Sequence, residues 1–244
     1  MEGREKTNTD LLLALIREGR PMTLGQQLKL TIQLSIPAVV AQFSSIAMQY
    51  IDAAMVGSLG AEASASIGLV STTTWLFSGL CVACATGFSV QVAHAIGAGD
   101  MRLARAVLRQ SFVATQVFVC LLAAAGMLIS GSLPRWLGGE DEICGDSSLY
   151  FFIYAAFLPM LQLNFLSGSM LRCSGNMRVP SMLSMLMCLL DVIFNFFLIF
   201  PSREVSWFEL SFFMPGAGME VAGAALGTGL AEMVTAGLVT WYLC

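Results

Sequence analysis

Hydrophobic positions gather in six charge-poor stretches, at roughly 31–56, 65–93, 107–131, 147–171, 180–201 and 221–243. Each exceeds the about 20 mostly apolar residues that a helix needs to cross hydrocarbon. Turn-forming segments separate them: GSLGAEAS, the GAGDMRLAR region, PRWLGGEDEICGD, RCSGNMRVP and the longer PSREVSWFELSFFMPGAGMEV. The pattern predicts an all-α, polytopic bundle of six transmembrane helices over residues 31–244, preceded by a polar tail over 1–30. Within the tail, Leu11, Leu12, Leu15 and Ile16 recur at helical spacing beside Arg17 and Arg20, the signature of a short amphipathic helix lying on the membrane surface.

Composition removes the main alternatives. Of 244 residues, 57% are hydrophobic and 11% charged, whereas soluble domains carry about 25% charged residues. A net charge of -4, with no basic stripe, speaks against nucleic acid as a partner. The seven cysteines are scattered; Cys81 and Cys84 form a C-x-x-C inside uninterrupted apolar sequence with no second pair, which reads as helix packing. Neither a metal site nor a cofactor is expected. Ten of the twelve Lys and Arg residues fall on one side of the predicted bundle, leaving Arg135 and Arg203 opposite with most of the loop acids. The positive-inside rule therefore predicts that both ends of this segment are cytoplasmic, in an inner or plasma membrane.

A charged side chain at the bilayer centre costs about 2.5–3.5 kcal/mol on insertion scales, so an acid within a span is a functional candidate. Asp52, Asp191 and Glu232 qualify, and no span places Lys or Arg near its middle to neutralise them. In span one, Ser35, Gln42, Ser45, Gln49 and Asp52 share one helix face; span five repeats the arrangement with Ser181, Ser184, Cys188, Asp191 and Asn195, and span six more briefly with Thr228, Glu232 and Thr235. Such stripes predict a water-accessible cavity lined by Gln42, Ser45, Gln49, Ser184 and Thr228, with the acids sharing the outer half of the bundle. Asp52, Asp191, Asn195 and Glu232 are the candidates for holding a proton or cation, which would compete with substrate for one site. Pro37, two turns before the dense part of the first stripe, removes a backbone hydrogen bond and is either a hinge or a static kink. Gly223, Gly227 and Gly229 read as a close-packing surface, and His94 as a residue at a helix end.

Four short motifs carry a family resemblance. The run Ile51-Asp-Ala-Ala-Met-Val-Gly57 with Leu59-Gly60-Ala61 and Ile67-Gly68, Gly97-Ala-Gly-Asp100 with Ala104, Leu171-Arg-Cys-Ser-Gly175 with Pro180, and Gly223-Ala-Ala-Leu-Gly-Thr228 resemble, in order, segments of the multidrug and toxic compound extrusion (MATE) family. The resemblance runs from about Leu24 to the last residue and implies the amino-terminal six-helix lobe of a twelve-helix, two-lobed transporter. The carboxyl-terminal lobe would then be the partner, on the same chain or a second one. It implies export of amphipathic, often cationic organic compounds driven by inward H⁺ or Na⁺, with an acid at the position of Asp52. Some members have an Asn followed four residues later by an Asp in helix five; here the order is Asp191 then Asn195.

Other readings fit the residues less well. A lipid-linked saccharide flippase of the same superfamily would be expected to need buried Arg or Lys. An intramembrane hydrolase needs a base near Ser167 or Ser169, and the spans contain no histidine to serve. A non-transporting membrane scaffold would not require acids on polar stripes.

Overall fold

The computed structural model describes Leu12, Leu15, residues 21–207 and residues 210–243. Apart from those two leucines, the amphipathic helix expected over 11–20 lies outside the described residues. In chain order the elements are α1 (Leu24–Gly57), α2 (Ala61–Gly97), α3 (Met101–Ile129), the single turn α4 (Leu133–Trp136), α5 (Asp141–Cys173), α6 (Arg178–Ile199), strands β1 (Pro201–Trp207) and β2 (Leu210–Ala217), and α7 (Glu220–Leu243). All six long helices have the length and apolar character to cross a membrane.

Most of the helices outrun their apolar stretches because capping groups lie in the polar segments. α1 starts at Leu24, where Thr23 and Gln26 form a reciprocal capping box: Gln26 N–H donates to Thr23 Oγ1 at 3.4 Å and Thr23 N–H to Gln26 Oε1 at 3.0 Å. α3 starts at Met101 because Asp100 Oδ1 accepts the Leu103 N–H at 2.9 Å. Arg102 and Arg105 therefore stand on a helix rather than in a loop. Gly99, at φ 77°, supplies the left-handed residue that lets α2 end and α3 begin within a few positions.

The longest connection differs from expectation. Where an irregular loop was expected, β1 and β2 pair antiparallel, with Glu204 opposite Phe213, Val205 opposite Phe212 and Ser206 opposite Ser211. Alternating polar and apolar residues around Val205 to Phe213 are the period-2 signal of a hairpin.

α5 is the central element, packed against α2, α3 and α7, while α6 joins α1 to α7. Between α2, α3 and α5 lies a core of Val70, Phe77, Cys81, Val119, Ala123, Phe151, Ala155 and Leu158. Phe77 and Phe151 meet edge to face with centroids 5.5 Å apart. Cys81 is part of this packing as a free thiol. α1 is the least buried of the long helices and α7 the most. α1 leans chiefly on α6, and that places two polar stripes face to face.

Candidate functional site

Asp52 comes from α1; Asp191 and Asn195 come from α6, one turn apart. The Asn195 amide bridges the acids, Nδ2 donating to Asp52 Oδ1 at 3.0 Å and to Asp191 Oδ2 at 3.2 Å. The carboxyl groups also lie within hydrogen-bonding reach of each other, and the Thr228 side chain of α7 sits beside Asp191. Asp191 and Asn195 are wholly buried. Asp191 Oδ1 and Asn195 Oδ1 have no hydrogen-bond partner, an unusual state for buried oxygens. The Asp-then-Asn order works because one turn of helix lets a single amide reach both acids.

Room for this amide is made by Gly227. A Cβ there would overlap Asn195 Oδ1 and stand 2.9 Å from the Asn195 backbone nitrogen. Gly223 likewise meets the backbone of Leu198, and Gly229 the ring of Phe157. The glycine-rich run expected to serve packing alone thus also shapes the acid cluster.

Two like charges in contact favour a shared proton or a bound cation over two bare anions. The cluster offers carboxyl oxygens, an amide oxygen and unpartnered acceptors, and among the described residues no Lys or Arg is within salt-bridge distance of it. Chemically, it can hold one small positive charge.

Glu232 stands apart from the other two acids. Nearly buried on α7, it accepts a short hydrogen bond from Asn164 Nδ2 of α5, which also points at Thr235 Oγ1, 2.9 Å away. Glu232 lines a cavity of about 580 Å³ together with Gln42, Ser45 and Gln49 of α1, Asn164 and Arg172 of α5, and Ser184 of α6. This cavity also meets Met177 and Pro180, so it occupies the arginine-bearing end of the bundle. Of the three acids expected to share one chamber in the outer half of the bundle, Glu232 lines this cavity and Asp52 and Asp191 do not. Asp191 and Asn195 are buried and Asp52 half-buried, and none of the three lines this cavity, because the stripe on α1 climbs along the helix and Asp52 lies most of a turn beyond Gln49.

Thr228 does not line the large cavity either. It borders a second void of about 50 Å³ with Tyr150, Tyr154, Phe157 and Glu232. Tyr154 is held there by hydrogen bonds to Ser78 Oγ at 2.6 Å and to the Thr74 carbonyl at 2.9 Å. Glu232 borders both spaces and is their shared wall. Pro37 lies within α1, one residue before Ala38 on the cavity wall. Ser35 and His94 are exposed.

Two polar cavity residues escaped the sequence reading. Asn164 and Arg172, with Gly168 between them, recur at four-residue steps on α5 and so share one face. That spacing was a usable signal, masked because Arg172 borders a turn.

Comparison with known proteins places this geometry. The family model described as MatE matches residues 37–197, more than half of the chain. Among curated relatives, the "FAD transporter" of Shewanella oneidensis is 23% identical over 218 residues, covering 88% of this chain and 45% of that protein. "Probable multidrug resistance protein NorM" of Thermotoga maritima is 26% identical over 215 residues, covering 87% of this chain and 43% of the relative. The chain thus spans about half the length of these relatives. A solved structure titled as the outward-facing conformation of a multidrug resistance MATE family transporter superimposes with a TM-score of 0.77 at 22% identity, over 87% of this chain and 44% of the other. The fold is that of one six-helix lobe of such a transporter.

Proposed function

The chain belongs to the MatE family, whose members are transporters and not enzymes, and from that premise we propose that it forms one lobe of a cation-coupled antiporter exporting amphipathic organic compounds by alternating access. The observation that carries this reading is the Asn195 amide joining a half-buried carboxyl of α1 to a buried one of α6, with two buried oxygens left unpartnered.

A proton or Na⁺ between Asp52 and Asp191 offsets one of the two negative charges, relieves their repulsion and holds α1 against α6. Its departure leaves two like charges in contact, which drives the helices apart. α1 also carries Gln42, Ser45 and Gln49 on the cavity wall, so ion occupancy and cavity shape change together. Pro37 gives α1 a point at which to bend, since proline removes a backbone hydrogen bond. Ion and substrate occupy neighbouring spaces rather than one, and Glu232, which lines the cavity one turn along α7 from the Thr228 beside Asp191, stands between them.

The cavity volume falls within the about 300–1,000 Å³ typical of small-molecule sites. Glu232 at its deep end favours a substrate with a positive centre. The relatives' names attach a flavin dinucleotide to one and multidrug resistance to the other, and both suit a roomy, partly apolar cavity. A second lobe, the half of the relatives that this chain does not span, closes the site from the other side. The arginine-bearing end faces the cytoplasm, and the cavity opens there.

In proteoliposomes of the full-length protein, Asp52→Asn is expected to abolish efflux of a fluorescent cation under either an H⁺ or a Na⁺ gradient, with normal insertion. Wild-type efflux by that variant would overturn the reading. Asp191→Asn is expected to impair efflux more mildly, since Asn195 still contacts Asp52; equal ion-driven rates in that variant and the wild type would count against the pair.

A further inference from the structure

We propose that the cavity selects substrates that carry a carboxylate beside their positive centre, and that Arg172 is the residue that binds it. The inference deepens the transport reading above and rests on it.

Arg172 lies in the last turn of α5. An arginine there would ordinarily reach outward to water or close on the final carbonyls of its helix. Those carbonyls already have backbone donors: Ser174 N–H to Met170 O at 3.1 Å, Gly175 N–H to Arg172 O at 3.0 Å and Asn176 N–H to Leu171 O at 3.0 Å. The side chain, though still exposed, runs back along the helix and lines the cavity. Its Nη1 and Nη2 stand 3.5 and 3.8 Å from where a Cβ on Gly168 would be. Glycine at 168 leaves the lane in which the guanidinium lies.

Among the described residues the guanidinium has no carboxylate partner within 4.0 Å. Of the cavity's lining residues Arg172 is the base and Glu232 the acid, with no other charged group between them. The guanidinium lies at the level of Gly168 and Glu232 at that of Asn164, about 6 Å apart along α5 at 1.5 Å per residue. That separation leaves each charge unneutralised by the other, yet within reach of the two ends of one small dipolar molecule. A planar guanidinium fork suits a carboxylate with two parallel hydrogen bonds, while Glu232 meets the ammonium or delocalised cation.

The test uses a rhodamine with a free carboxylate and its methyl ester, titrated by fluorescence against the full-length protein in detergent and followed for efflux in proteoliposomes. Arg172→Gln is expected to weaken binding of the carboxyl dye about tenfold, the scale of a charge-assisted hydrogen bond, while leaving the ester unchanged. Arg172→Lys should recover part of the loss. Unchanged ester binding also reports that Arg172→Gln is folded. Equal weakening of both dyes, or of neither, would overturn the proposal. Asp52→Asn separates the two readings: it is expected to stop efflux of both dyes while preserving the binding preference set by Arg172. Normal efflux with that variant would sink the coupling reading and leave the Arg172 result standing.

Discussion

Asn195 serves two acids at once, and the side chain it displaces space for is missing at Gly227. A methyl group at 227 would force the amide out of its bridge. Gly227→Ala is expected to cost about 1–3 kcal/mol, the usual scale for overpacking, and to erase any stabilisation by the coupling ion. Thermal unfolding with and without Na⁺, at two pH values, would register both effects; an unchanged melting temperature with full ion response would show that Asn195 has room elsewhere. The acids were legible in the sequence because a carboxyl in an apolar span is costly and therefore conspicuous. The role of Gly227 was not, because its partner sits on another helix and a glycine says nothing alone about which neighbour approaches it. Arg172 was assigned to a loop for a related reason: its position beside a turn was visible, but the direction of its side chain depends on the empty space over Gly168.

Helix identities followed from hydropathy, since backbone groups in hydrocarbon must be satisfied within the segment. Helix ends did not, because caps such as Thr23 and Asp100 work in the polar segments that a hydropathy reading assigns to loops. The hairpin of β1 and β2 was passed over likewise, because its period-2 signal is short and lies in a segment that a hydropathy reading assigns to a connection. At this scale Pro37 is the element to test. If α1 bends there during transport, Pro37→Ala is expected to slow efflux severalfold while leaving dye affinity unchanged, because the restored backbone hydrogen bond stiffens the helix without altering the cavity wall. Unchanged efflux would identify a static kink.

Across the whole molecule two polar sites stand apart: a cavity of about 580 Å³ beside the arginine-bearing turns, and the acid cluster farther along α1 and α6. The polar stripes announced both on one helix face, but a stripe gives direction and not depth, so their separation emerged only once α5, α6 and α7 were packed. A cysteine at Ser184, in a background lacking the native cysteines, is expected to react with a membrane-impermeant thiol reagent from the arginine-bearing side and to be shielded by bound dye. Labelling from the opposite side alone would reverse the proposed orientation. α1 contributes a single carboxyl to the cluster, and its main neighbour is α6. In the proposed mechanism it would act as a latch whose tongue is Asp52 and whose keeper is Asn195. Under the proposed coupling such a latch would have no intermediate setting: the helix that shapes one wall of the chamber would be either fastened or free, and a single small ion would decide which.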